Sequence, residues 1–234
     1  MSASFFDDSL PLVTLLTMPE PNEALEARAL LTLPQRTQAR IGQFAHPARR
    51  RQTLWGRLIA ETYANALGAA LVEERPYPPY LLLANGDRRA LCIAHTQDTI
   101  AVGLASALDP VMGLDIETVR PIRSVSGMSR MIFGDAAQWV IHRCDTEGNT
   151  NPFFLVWGMK ESEIKLNRGQ KHYQLTVGND NTPVVRHTID QTVLTVTHHV
   201  LDKLRLTILT QTQTPTVKRL TPTEVIDRLL TKQR

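Results

Sequence analysis

A chain of 234 residues is long enough for one large domain or two fused smaller ones, and folding is expected to bury roughly 70–75% of its unfolded surface. With 42% hydrophobic and 21% charged residues, no basic n-region at Met1–Asp8, no run near the ~18 apolar residues of a membrane span and only Cys92 and Cys144, it reads as a packed globule of the reducing cytoplasm, with no membrane as partner. The net charge of +3 is small but uneven: 20 arginines outnumber six lysines, and seven of them (Arg28, Arg36, Arg40, Arg49, Arg50, Arg51, Arg57) fall between Ala27 and Ala60 without one acidic residue.

A first strand is predicted over 10–17, ended by Pro19-Glu20-Pro21-Asn22, and short helices over 23–31 and 34–44 follow. Pro47 opens a longer helix in which Leu54, Leu58, Ile59, Tyr63, Ala66 and Leu67 keep a spacing of three and four up to Gly68. Strands are predicted over 80–84, 90–95 and 100–107, with Asn85-Gly86 as a hairpin turn between the first two. After the turn at Asp109-Pro110 comes a strand over 111–117. The second half repeats the order: a helix over 135–143 capped by Asp135, a helix from Pro152 to 166, and strands over 171–177, 184–189, 193–200 and 204–210. Thr221-Pro222-Thr223-Glu224 reads as a capping box opening a last helix. The expected class is α+β, in two similar halves, 1–110 and 111–234.

Two strips carry chemistry. In Gly113-Leu114-Asp115-Ile116-Glu117 strand alternation places Asp115 and Glu117 on one face, with Leu114 and Ile116 on the other. Paired carboxylates repel unless a cation lies between them, and an oxygen-only pair suits Mg²⁺, which is held by one or two carboxylates plus substrate phosphates; a solvent-facing acidic strand end is the alternative. In Trp157-Gly158-Met159-Lys160-Glu161-Ser162-Glu163-Ile164-Lys165 helical spacing stacks Trp157, Glu161 and Lys165 in one row; an ordinary surface Glu/Lys pair is the alternative there. The basic segment suits an anion with several phosphates, because the guanidinium fork binds phosphate bidentately.

Together these strips resemble the 4′-phosphopantetheinyl transferases of the surfactin-synthetase-activating type, whose motifs are G-[VI]-D-[IV]-E and, some forty residues on, W-x-x-K-E-[SA]-x-x-K. Ile93-Ala94-His95-Thr96 partly matches the family's upstream S-H-[ST], and Arg51-Gln52-Thr53-Leu54-Trp55-Gly56-Arg57 matches its arginine-rich helix; order and spacing fit over about residues 34–170. The resemblance implies a pseudo-twofold fold with the active site in the cleft between halves. It implies transfer of phosphopantetheine from coenzyme A to a serine of an acyl or peptidyl carrier protein, with release of 3′,5′-ADP. By position, Asp115, Glu117 and Glu161 become the Mg²⁺ ligands, and Asp115, Glu161 and Lys165 the catalytic groups. Arg40, Arg51, Thr53, Arg57, His95, Thr96, Lys160 and Lys165 become the coenzyme A contacts.

The chain departs from that pattern in places. Tyr77-Pro78-Pro79 lacks the family's Gly and Lys, Ala137 stands where relatives carry a glutamate that helps deprotonate the serine, Ala94 replaces a serine, and Asn167-Arg168-Gly169 lacks a second glycine. Glu161 or a water on the metal is then left as base, and a relative that binds coenzyme A or a carrier with little turnover is the alternative reading. A metal-dependent nuclease would leave His95-Thr96 and the tryptophan unexplained, so nucleic acid is not an expected partner. His198-His199 on a strand point to opposite faces, one of them to the surface and neither to a metal; Met128, Met131 and Ile132 are core or carrier-docking residues, and Cys92 a small buried hydrophobe. Docking of an acidic carrier is expected near residues 123–133, and a monomer is expected because one chain supplies both sides of the cleft.

Overall fold

The first element of the described residues is β1 (Leu12–Thr17), whose first five residues are buried. A computed structural model describes residues 9–74, 78–168 and 172–230. Helix α1 (Glu23–Leu31) is capped by Asn22, whose side chain accepts from the Leu25 N–H at 2.9 Å. Helix α2 (Gln35–Gly42) precedes α3 (Pro47–Leu67), which starts on proline and ends at Gly68 in the left-handed region, φ 61°. Strands β2 (Ala70–Val72), β3 (Tyr80–Leu82), β4 (Arg88–Thr96) and β5 (Thr99–Leu104) complete the first half.

The second half opens with β6 (Gly113–Thr118), followed by α4 (Val125–Ile132), a 3₁₀ turn at Gly134–Ala136, α5 (Ala137–Glu147) and α6 (Asn151–Leu166). Then come β7 (Tyr173–Val177), β8 (Pro183–His187), β9 (Thr195–Leu201) and β10 (Leu204–Thr210). Last are β11 (Thr216–Leu220) and α7 (Pro222–Leu230), the latter started by the expected box: Glu224 accepts from the Thr221 N–H at 2.7 Å while the Glu224 N–H points to Thr221 Oγ1.

The architecture is mixed α and β. One sheet has the order β11-β1-β5-β4-β3-β2, a second β6-β10-β9, and β7-β8 form a separate hairpin. One pattern is built twice: β1, the long helix α3 and the β4–β5 hairpin whose second strand pairs antiparallel with β1; then β6, the long helix α6 and the β9–β10 hairpin whose second strand pairs antiparallel with β6. Three apolar clusters follow from this. The first gathers around α3, the second lies among α5, α6 and β7–β8, and the third (Val13, Cys92, Ala94, Leu114, Ile116, Leu206 and neighbours) joins the two sheets.

The division at residue 110 does not hold at the C-terminus. β11 pairs in parallel with β1, and Leu220, Val225, Ile226 and Leu229 bury in the core around α3, so the terminal strand and helix belong to the first half. They cover an edge of β1 that would otherwise expose unpaired backbone. The chain therefore crosses between halves twice, and a fully buried Asp109 ties the crossings. Its carboxylate accepts the N–H groups of Gln211 (2.9 Å), Thr212 (2.8 Å) and Gln213 (3.0 Å). Three elements lie outside the expected set: β2, β11 and α4. Asp135 falls in the 3₁₀ turn and makes no cap to α5. Among the described residues no helix is long and apolar enough to cross a membrane.

Candidate active site

Strands β4 and β6 come alongside one another where the halves meet. Thr96 Oγ1 lies 3.1 Å from Thr118 Oγ1 and accepts the Thr118 N–H at 3.1 Å, and the Cys92 thiol points to the Leu114 carbonyl. This alignment sets β6, which packs on α6, beside β4 and opens its Asp115 and Glu117 onto the same cleft as residues of α3. The result is a cleft of about 300 Å³. Arg40, Arg49, Thr53, Arg57 and His95 from the first half line it, opposite Asp115, Glu117, Glu161, Lys165 and Arg168 from the second.

The acidic wall is under electrostatic tension. Asp115 is 5% exposed, and its Oδ1 accepts from Lys165 Nζ at 2.7 Å, while Lys165 also donates to the Leu114 carbonyl at 3.0 Å. Asp115 Oδ2 is buried without a partner. Burial pushes the Asp115 carboxyl above the usual carboxylate range against the pull of Lys165; burial, then the charge of Asp115, pushes Glu117 up as well. Glu117 Oε1 accepts from the Trp157 indole N–H at 3.1 Å, so the tryptophan of the helical row orients the second carboxylate. The row lies this close because α6 crosses β10 at Gly158, where any side chain would run into Thr207 Oγ1.

An orphaned, buried carboxylate oxygen beside a second raised carboxylate is a donor set that fits a hard divalent cation. The fit is with two carboxylates and not with a closed cage. Among the described residues no three His, Cys, Asp or Glu side chains gather into a ligating cluster, and Glu161 stands on the same cleft without joining such a group.

The basic wall is built from α2, α3 and β4. Arg49 contacts His95 Nε2 and stacks over Phe44 with 5.9 Å to the ring centroid. Burial, then the charges of Arg49 and Lys165, hold His95 down at about 4, so its imidazole is neutral at pH 7 and serves as a hydrogen-bonding group. The Thr53 hydroxyl donates to the Arg49 carbonyl at 2.8 Å, leaving its oxygen lone pairs to the cleft.

Three expected contacts do not line the cleft. Arg51 turns back to pair with Glu26 and to donate to the Pro19 carbonyl, because its place on α3 faces α1. Thr96 is taken up by Thr118. Lys160 pairs with Glu163 at 2.7 Å, and the buried Glu163 also accepts the Leu175 N–H and the Asn167 amide, a network that pins β7 to α6. Arg49, Phe44, Gln52 and Arg168 also line the cleft without having been singled out as site residues; Arg49 lies one turn before Thr53, a spacing that could have found it. Tyr77 and Gly169, two positions of departure from the family pattern, lie outside the described residues, whereas Pro78 and Pro79 line the cleft. His198 and His199 are both half-buried, so neither is the surface residue expected. Cys92 is buried with its thiol pushed up by desolvation, and Met131 is exposed.

Compared with protein-family models and with the curated proteins, the chain finds no match in either. The functional reading therefore rests on the cleft and on the motifs that build it.

Proposed function

We propose that this protein is a cytoplasmic, monomeric 4′-phosphopantetheinyl transferase, with the pseudo-twofold architecture of that family, and that it takes coenzyme A and Mg²⁺ in the cleft and modifies a serine of an acyl or peptidyl carrier protein. The observation that carries the reading is the meeting, in one cleft, of a wall of arginines and a neutral histidine from one half with three carboxylates and a lysine from the other. Neither set alone suits a pyrophosphate accompanied by a cation; the two sets together do.

In this reading Arg40, Arg49 and Arg57 hold the nucleotide phosphates, and Thr53 and His95 orient them through hydrogen bonds. Asp115 and Glu117 would hold the cation, with Glu161 on the same cleft, and such an ion would supply charge neutralisation to the pyrophosphate. Lys165 carries a second positive charge to the same place. The serine oxygen attacks the β-phosphorus, the bond to the α-phosphate oxygen breaks, and 3′,5′-ADP leaves with the electron pair. The serine proton passes to Glu161. A groove of about 320 Å³ lined by Ile122, Met128, Phe153, Phe154 and Trp157 shares Glu117 with the cleft and is apolar enough for the pantetheine arm, beside Arg120 and Arg123, which suit an acidic carrier.

A second reading, a relative that binds coenzyme A with little turnover, has one observation in its favour: Ala137 is buried in the second core and offers no acid near the site. The mass of an apo carrier protein after incubation with this protein, coenzyme A and Mg²⁺ separates the two. A phosphopantetheine-sized gain that vanishes with EDTA and in Asp115→Ala supports transfer. No gain across fatty-acid, polyketide and peptide carriers, with coenzyme A still bound, supports the second reading.

A further inference from the structure

Glu73 belongs to neither motif, yet it lies at the junction of the basic wall. Its Oε1 accepts from Arg40 Nη1 at 2.7 Å, and Arg57 Nη2 reaches the same oxygen. Its backbone carbonyl accepts from Arg36 Nη2 at 3.3 Å. One residue thus gathers three arginines from two helices, immediately after β2 and just before the Pro78-Pro79 rim of the cleft. The carboxylate is 12% exposed and the Arg57 side chain 10%, so the contact is largely shielded from water.

The geometry leaves the arginines part-used. Glu73 engages one terminal nitrogen of each guanidinium, and the Nε atoms of Arg40 and Arg57 are buried with no partner. Two guanidiniums converging on one place repel each other, and desolvation of Arg57 opposes its charge, a cost that the Glu73 carboxylate offsets. Without that carboxylate both side chains gain by swinging toward solvent, each with many rotamers to populate.

We infer that Glu73 is a positioning residue for phosphate binding, holding Arg40 and Arg57, both of which line the cleft, in one fixed arrangement. The inference rests on the cleft being the coenzyme A site. It is opposed by a simple alternative with the reverse sign. If Glu73 were only a counter-charge, its neutralisation would raise the positive potential and tighten anion binding; a positioning role makes the same change weaken it.

The experiment is calorimetric titration of the intact protein with coenzyme A and, separately, with inorganic pyrophosphate, comparing wild type, Glu73→Gln and Glu61→Gln. Glu61 is a charge control: its carboxyl feels both Glu73 and Arg57 and is raised by burial. The expected result is a roughly tenfold weaker Kd in Glu73→Gln, equivalent to ~1.4 kcal/mol. In steady-state assays KM for coenzyme A rises with kcat within twofold, and Glu61→Gln stays within twofold of wild type. Unchanged or tighter binding in Glu73→Gln, or an equal loss in Glu61→Gln, overturns the inference. Should Glu73→Gln fail to fold, Glu73→Asp, which keeps the charge and withdraws it by one methylene, carries the same expectation. A wild-type protein that binds pyrophosphate but not coenzyme A refutes the coenzyme reading while the Glu73 comparison still reads out on pyrophosphate; one that binds neither refutes both.

Discussion

Replacing Asp109 by alanine is expected to be among the costliest single changes in the molecule. The carboxylate is fully buried and accepts three short N–H bonds, from Gln211, Thr212 and Gln213, at 2.8–3.0 Å, with a longer fourth from Val111 at 3.4 Å. Hydrogen bonds to a charged group contribute about 1.5–3 kcal/mol each, and a buried donor left unpaired costs about 1–3 kcal/mol. Entry of water into the vacated space offsets part of this. The expected loss in Asp109→Ala is therefore about 3–5 kcal/mol, a large share of the ~5–15 kcal/mol that holds a typical domain together. Thermal melting falls by roughly 6–20 °C. Asp109→Asn keeps one acceptor but turns an amide toward donors, and is expected to fall between. Urea unfolding followed by circular dichroism gives the midpoint and slope. Because Asp109 ties both crossings between the halves, a shallower or two-step transition in the alanine variant is expected. A loss under about 1 kcal/mol with an unchanged slope refutes the argument.

Two further outcomes follow from the site and one from a half-buried histidine on β9. In the proposed transferase, Arg51→Ala is expected to leave KM for coenzyme A within twofold of wild type and to cost under about 1 kcal/mol of stability, because Arg51 pairs with Glu26 away from the cleft. Arg49→Ala, by contrast, raises KM about fivefold or more, since Arg49 lines the cleft against His95; steady-state kinetics on the two variants side by side distinguish them. Burial, with the charges of Arg205 and His199, holds His198 down at about 4 against an ordinary 6.5. The unfolded chain thus takes up the proton first, and this contribution to stability is full above about pH 6.5 and is lost as pH falls toward 4. His198→Gln is expected to flatten that loss in urea melts at stepped pH; parallel curves for wild type and variant would count against the reasoning.

The long elements were legible because their signals are local and redundant. α3 carries proline at its start, glycine at its end and a three-four apolar repeat between them, and α7 is opened by a complete capping box. β2, with three residues, and β11, whose Thr216-Val217-Lys218-Arg219-Leu220 alternates weakly, are strands because of what they pair with. A parallel partner 200 residues away leaves no local trace. The site shows the same division. Asp115, Glu117, Glu161 and Lys165 could be placed from strand and helix periodicity, whereas the turning of Arg51 toward α1 depends on a helix packed from elsewhere in the chain. Lys160 lies next to Glu161 in sequence yet one helical step of about 100° away on α6, which is enough to take it from the cleft to Glu163.

The repeated topology gives this arrangement a physical rationale. A single copy of the strand, long helix and hairpin unit presents one wall, and in this chain the two walls have opposite character. The first has no acidic residue from Ala27 to Ala60, and the second places its carboxylates on β6 and α6. Each wall holds part of its charge in internal pairs, Arg40 and Arg57 with Glu73 and Lys165 with Asp115. Brought face to face across the third apolar cluster, the two walls stay incompletely satisfied. Asp115 Oδ2 and the Nε atoms of Arg40 and Arg57 remain without partners. Leaving buried polar atoms unpaired costs about 1–3 kcal/mol apiece, a cost this cleft carries on both walls. The clasp at Asp109 and the return of β11 and α7 to the first half tie the two units together at both crossings of the chain.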